Sequence, residues 1–298
     1  MSEPFEATLD RYAQAGRISV QLRPLTRRLV AEGASIADIC ETIEGEIGSL
    51  GAKPAFPVNV CVGSIAAHFT ATPDGSDVLK AGDLVKVDYG AMVDGYLVDT
   101  AISVNLSPLD AGIIKATEEC LEVGIRYMRA GIEASKVGAA IQQTAEAAGL
   151  RVISNLTGHQ ISRYNLHAGG VIPNVARGFH GKVQANAVYA IEPFLTYSHG
   201  AGFIVERSPA SIFRLGRSKP RDPAAKALYS KIHDSHSSLP FAERWLSLSP
   251  EEGEAFRRLI DSSCIAPYPQ LVEKNGVAVA QAEHTVAVLP DKVIVLTK

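Results

Sequence analysis

Leu22, Leu25, Leu29 and Val30 recur at helical spacing, so the first stretch of the chain, to about residue 50, reads as helix. Arg23, Arg27 and Arg28 fall between them and read as a solvated helix face rather than a basic patch. A second helix is predicted from about Ser35, an N-cap with Asp38 three residues on. Residues 51–57 (GAKPAFP) are extended punctuation. The period then falls to two. Residues 84–91 (LVKVDYGA) and 96–104 (YLVDTAISV) read as strands joined by the hairpin signal Asp94-Gly95. Helices are predicted over 109–130 and 133–148, and strands over 152–154, 188–194, 277–288 and 292–297, with Leu289-Pro290-Asp291 as a turn. Between these, AAKALYSKIHDS, FAERWLSL and SPEEGEAFRRLIDSS carry charges at helical spacing, and Ser249-Pro250-Glu251-Glu252 is a good helix start. Residues 205–266 are therefore expected to form a helical subdomain inserted into a body made of 1–204 and 267–298. No low-complexity segment or short-period repeat is visible.

Composition narrows the class. The chain has 298 residues, 46% apolar and 20% charged, with a net charge of −3. That excludes disordered, collagen-like and disulfide-scaffold classes and argues against a nucleic-acid binder with a broad basic face. Cys40, Cys61, Cys120 and Cys264 are too scattered for a local zinc knuckle or redox pair and fit a reducing compartment. No basic-then-apolar leader opens the chain, and no apolar run reaches the ~18 residues of a membrane span. A soluble cytoplasmic protein without a membrane partner is expected.

The hairpin is where chemistry begins. With Asp94-Gly95 as a two-residue turn, Ala101 lies opposite Asp88, and Asp99 becomes a diagonal neighbour of Asp88 on the same face, with Cβ atoms somewhat under ~7–8 Å apart. Two carboxylates so placed repel each other. A shared proton, an arginine or a metal could compensate; no arginine is near in sequence, which favours metal. Further ligands are available in His159 (LTGHQI), Glu192 (AIEPF) and Glu283 (AQAEHTVAV), the last two being acids inside apolar strands. Four carboxylates and one imidazole suit Mn, Fe(II), Co or Zn in a hydrolytic site better than a structural zinc. His284 points to the opposite face from Glu283, and His180, His199, His233 and His236 read as surface residues. Gly200-Ala201-Gly202 lacks the lysine and following helix of a phosphate loop.

The segments PAFPVNV…IAAHFT, KVDYGAMVDGYLVDTA, NLTGHQISRYNLHAG, YAIEPF and AQAEHT, in this order and with the Asp-x10-Asp spacing, resemble the type II methionine aminopeptidases, in the short archaeal-type form. The resemblance covers essentially the whole chain. It implies an α+β "pita-bread" fold, with a curved antiparallel sheet inside, helices outside and a helical insertion before the last ligand. It implies two divalent metal ions held by Asp88, Asp99, His159, Glu192 and Glu283, with Asp99 and Glu283 bridging. His68 and His167 match non-ligand active-site histidines. Phe56, Leu166 and Phe194 match the pocket for the methionine side chain, Tyr268 an aromatic at its mouth, and Leu239-Pro240-Phe241 the stretch that closes it. Ala282 departs from the aromatic that often precedes the last glutamate.

The activity implied is metal-dependent removal of the initiator methionine from nascent chains and peptides by a water activated between the metals. Glu192 would shuttle the proton, and His68 and His167 would bind the substrate carbonyl and the oxyanion. Expected partners are polypeptide N-termini; ribosome contact is an open expectation, a monomer is expected, and no nucleic acid is required. The alternatives are a proline-specific peptidase of the same fold, which usually carries a larger N-terminal domain and lacks the insertion, and a non-catalytic relative, which would have lost ligands.

Overall fold

The computed structural model describes residues 4–107, 110–178 and 180–298; the first residue of the helix expected over 109–130 lies outside them. The N-terminal pair of helices is α1 (Phe5–Leu29) and α2 (Ile36–Ser49). Ser35 caps α2 by accepting a hydrogen bond from the Asp38 amide, as its spacing predicted. A run of short strands follows: β1 (Lys53–Pro54), β2 (Asn59–Val62), β3 (Ile65–Ala67), β4 (Leu84–Tyr89), β5 (Ala91–Val93), β6 (Tyr96–Leu97) and β7 (Thr100–Asn105). A second helix pair, α3 (Ala111–Tyr127) and α4 (Ala134–Ala147), precedes β8 (Leu150–Val152), β9 (Thr157–Ile161), β10 (Val171–Pro173), β11 (Ala187–Ile191) and β12 (Phe194–Tyr197).

After the long β13 (Ile204–Leu215) come α5 (Pro223–His236), β14 (Phe241–Ala242), a 3-10 turn (Glu243–Trp245) and α6 (Pro250–Asp261). The chain ends in β15 (Ile265–Glu273), β16 (Val279–Gln281), β17 (His284–Val288) and β18 (Val293–Val295). All described ladders are antiparallel, in the orders β1-β5-β6, β2-β4-β7, β10-β9-β11-β17-β18, β16-β12-β8 and β14-β13-β15-β3.

Each helix pair buries its apolar stripe against sheet, α1 and α2 in one core with β2, β4 and β5, and α3 and α4 in another with β11, β12 and β17. α5 and α6 pack on each other in a separate cluster with Phe213, Phe241 and Ile265. Two helical expectations in this region are corrected. Residues 204–215 are strand, paired with β15, and FAERWLSL is a short strand and a 3-10 turn, because Phe241 and Ala242 hydrogen-bond to Phe213 and Ile212 of β13. Tertiary pairing overrides the local charge periodicity. Ser249 does start α6, with a complete capping box to Glu252.

Two polar assignments also change. Arg27 and Arg28 face solvent, but Arg23 turns inward. Its Nη2 donates to Thr100 Oγ1 (2.9 Å) and the Thr297 carbonyl (3.2 Å) and lies 3.4 Å from His284 Nδ1, because the C-terminal strand covers that side of α1. His180, His199 and His233 are exposed as expected. His236 is half-buried, stacked on Phe241 and Trp245 at centroid distances of 5.4 and 5.5 Å.

Candidate metal centre

The hairpin forms in the register that its turn dictates. Asp94 (φ 52°) and Gly95 (φ 87°) take the left-handed conformations of a two-residue turn. A Cβ on Gly95 would lie 2.3 Å from the Tyr164 ring, so only glycine fits. Val93 pairs with Tyr96, and Asp88 faces Ala101. Asp99 precedes β7 on the same face, and its backbone is tied in both directions by Thr285, whose Oγ1 accepts from Asp99 N and lies 2.7 Å from Asp99 O as a donor.

The second half of the centre comes from β9, β11 and β17. Gly158 lets β9 approach β11 closely, since a Cβ there would sit 2.3 Å from the Ala190 carbonyl. That approach sets His159 beside Glu192, the residue after β11. Glu283 lies between β16 and β17, and its amide donates to the Ala101 carbonyl (3.2 Å).

The five side chains converge. His159 Nε2 is 3.5 Å from Asp99 Oδ2 and 3.4 Å from Glu192 Oε1. Ligand atoms of Asp99, His159 and Glu283 all lie within 4.8 Å of one another. Asp99, His159 and Glu283 are buried; Asp88 and Glu192 are partly so. Burial, reinforced by the neighbouring carboxylates, raises Asp88, Glu192 and Glu283 well above the ordinary range, and burial pushes Asp99 up to about 7. Burial likewise holds His159 down to about 4, leaving a neutral imidazole able to ligate. Among the described residues, no lysine or arginine lies within ion-pair distance of these carboxylates. Buried oxygens of Asp88 (Oδ1), Asp99 (Oδ1) and Glu283 (Oε1) have no hydrogen-bond partner in the protein. Orphaned carboxylate oxygens around a neutral imidazole fit a divalent cation site, with oxygen predominating.

Above the centre lies a cavity of about 320 Å³. Asp88, Asp99, His159 and Glu192 line it together with the expected Phe56, His68, Leu166, His167, Phe194 and Tyr268; Glu283 is buried beneath. Of Leu239-Pro240-Phe241, only Pro240 reaches this cavity. Leu239 faces an adjoining groove, and Phe241 packs in the α5–α6 cluster. Ala282 is buried in the α3–α4 core. The Tyr268 ring meets His68 edge-on (5.2 Å, 90°) and lies 6.4 Å from His167.

His68 adopts φ 65°, pinned by its amide donating to Asn59 Oδ1 (2.8 Å), and its Nδ1 is 3.2 Å from the Pro269 carbonyl. A carbonyl can only accept, so Nδ1 carries the hydrogen and Nε2 presents a lone pair to the cavity. Burial keeps the ring neutral, with a pKa of about 4. His167 is lowered too, by its protein surroundings first and then by His159 and Arg214, although its ring stays accessible.

Several supporting residues were not singled out from sequence. Gln281 Nε2 donates to Glu283 Oε2 (3.2 Å), Asn174 holds the Glu192 carbonyl (2.9 Å), and Thr100 Oγ1 donates to the Glu283 carbonyl (2.8 Å) while receiving Arg23. Gln281 and Thr285 carried a readable signal, since strand alternation puts both on the face of Glu283.

The profile of metallopeptidase family M24 matches residues 10–216. The chain is 41% identical to a methionine aminopeptidase of Pyrococcus abyssi, covering 97% of this chain and 99% of that one. It is 38% identical to a methionine aminopeptidase of Methanothermobacter thermautotrophicus, over 97% and 99%. Among solved structures it resembles a thermophilic Arx1 (TM-score 0.86, 17% identity, 97% and 90% covered). It also resembles a methionine aminopeptidase of Thermotoga maritima (TM-score 0.71, 22% identity, 100% and 98% covered). At these identities the structural likenesses show the fold alone, the pita-bread arrangement. No helix among the described residues is long and apolar enough to cross a membrane.

Proposed function

The chain belongs to metallopeptidase family M24, and within it to the methionine aminopeptidases, and on that premise we propose that it removes N-terminal methionine from polypeptides and peptides. The observation that carries this is the convergence of Asp99, His159 and Glu283, with Asp88 and Glu192 beside them, at the floor of an apolar cavity. In this reading Asp88, Asp99, His159, Glu192 and Glu283 are the side chains that would hold two divalent cations. Cations bound there would supply a Lewis acid for the scissile carbonyl and lower the pKa of water toward neutrality.

The chain's own residues do the rest. Glu192, a carboxyl lining the cavity beside His159, takes up a proton and returns it during the reaction. His68 presents a lone pair at Nε2, so it accepts a hydrogen bond, which assigns it to the N–H of the bond being cut rather than to the carbonyl. His167 lines the cavity near Tyr268 and donates to the carbonyl oxygen as negative charge develops there. Phe56, Leu166 and Phe194 enclose the thioether, which packs well on aromatic rings. The free amino terminus meets the carboxylates at the floor, restricting cleavage to chain ends.

The test is cleavage of Met-Ala-Ser beside Ala-Pro-Ala by metal-stripped protein, with Mn, Co, Fe(II) or Zn added back. Methionine release that requires added cation is the expected result. Cleavage confined to the proline peptide, or failure to bind any of the cations, would overturn the reading.

A further inference from the structure

Two walls of the methionine pocket lie far apart in sequence. One is Phe56-Pro57, just before β2; the other is Pro240, just before β14. Pro240 is thin cover. Its far side faces a second groove of about 840 Å³, lined also by Glu44, Leu239 and Trp245. A wall with open space behind it holds its position only if something ties it.

The tie is a single carboxylate, Glu44 of α2. Its Oε1 accepts from the Val58 amide (3.0 Å) and from Arg244 Nη2, and its Oε2 accepts from Arg244 Nη1 (2.7 Å) and from Trp245 Nε1 (2.8 Å). Each oxygen thus takes two donors. Arg244 and Trp245 lie in the 3-10 turn that follows the Pro240 wall, and Val58 follows the Phe56-Pro57 wall. Thr70 closes the ring, because its Oγ1 donates to the Val58 carbonyl (2.6 Å) and accepts from Arg244 Nη2 (3.2 Å). The Arg244 and Glu44 side chains are only 7% and 10% exposed, so solvent does little to screen the pair.

We propose that Glu44 is a positioning residue that sets the width of the first-residue pocket by tying the Phe56–Val58 wall to the Pro240 wall through Arg244 and Trp245. The inference rests on the reading of this cavity as the methionine pocket. Glu44→Gln keeps the shape but turns two of its hydrogens toward groups that are themselves donors, so the clasp cannot close. Pro240 then relaxes toward the groove behind it, and the pocket admits larger side chains. Arg244→Lys keeps the charge but loses the two-pronged fork and should give a milder version of the same change.

The pocket is read by equilibrium binding, so that it is judged separately from turnover. L-methionine and L-phenylalanine are titrated calorimetrically into manganese-loaded wild type, Glu44→Gln and Arg244→Lys, and manganese affinity is measured in parallel. Wild type should prefer methionine. Glu44→Gln should lose about tenfold of that preference, the scale at which apolar pockets discriminate by size, with manganese affinity unchanged. In kinetics on Met-Ala-Ser, KM should rise while kcat holds. Should Glu44→Gln not fold, Arg244→Lys decides on the same readouts. Wild-type preference in the variants would overturn the inference, and so would a loss of preference that tracks a loss of manganese affinity. Wild type that binds methionine but releases none from Met-Ala-Ser would sink the proposed activity while leaving the Glu44 test intact. Wild type that binds neither amino acid would sink the pocket and the inference together.

Discussion

Two of the places where the molecule buries charge are built on opposite terms. Around Glu44 one carboxylate meets one guanidinium and two N–H groups, and each carboxylate oxygen takes two donors, with Arg244 Nε alone of the pair left without a partner. Around Asp99 four carboxyl groups meet one neutral imidazole and no cationic side chain, and oxygens of Asp88, Asp99 and Glu283 are left without partners. A buried pair with matched hydrogen bonds is self-sufficient, and breaking it costs about 3–5 kcal/mol. A cluster of like charges is not self-sufficient; it is stable only with protons or cations added to it. The unmatched cluster is therefore the one shaped for something other than the fold.

Replacing one carboxylate by an amide breaks the contrast most sharply. Asp99→Asn removes the acid that lies beside both His159 and Asp88. Methionine release should fall at least about a thousandfold, since loss of a metal's charge stabilisation is worth several kcal/mol and each 1.36 kcal/mol is tenfold. The metal-free protein should nevertheless unfold at a higher urea midpoint than wild type, because a desolvated charge has been removed. A destabilised metal-free Asp99→Asn would show that the cluster contributes to the fold as Glu44 does.

The same contrast has a pH signature. A carboxyl whose pKa is raised by folding contributes stability below its unfolded value and loses it as pH rises through the folded one. Asp99 is raised to about 7, and Asp88, Glu192 and Glu283 are raised as well. Below about pH 6.5 buried histidines oppose this, because His68, His159 and His284 are held down to about 4 and the unfolded chain protonates first. Near pH 8 the fully buried Lys86, lowered to about 8, begins to act in the opposite sense too. Between those limits the metal-free protein should lose about 1.4 kcal/mol per pH unit for each proton still held in the fold. Manganese should flatten or invert that slope, because it binds the deprotonated ligands. Urea titrations at pH 6.5, 7.2 and 8, with and without manganese, check it.

How much of this was legible before the structure follows from where each partner sits in sequence. The Asp88–Asp99 register was readable because a two-residue turn fixes every pair beyond it, and Asp88 does face Ala101. Glu192 and Glu283 were readable because an acid inside an apolar strand demands a partner. Arg23 was misread as solvated, because periodicity gives the faces of a helix but not which of them a distant C-terminal strand will cover. FAERWLSL was misread as helix because its pairing with β13 is a tertiary fact. The Glu44 clasp left no trace at all, since its arginine lies 200 positions away and neither residue stands in an apolar run.

That clasp also permits the gentlest test of the comparison. Trp245→Phe keeps an aromatic ring beside His236 while removing the indole N–H with its five-membered ring, leaving Glu44 with three of its four donors. In a matched cluster the loss of one donor should cost about 1–3 kcal/mol at most, nearer the lower end, because Oε2 still receives Arg244 and the groove lets water approach. Urea unfolding should register that small loss equally with and without manganese. Manganese affinity should not change, since none of the five converging side chains touches the clasp. Were the loss to appear only in the manganese-loaded protein, the two buried clusters would be coupled, and the self-sufficiency of the Glu44 cluster would have to be abandoned.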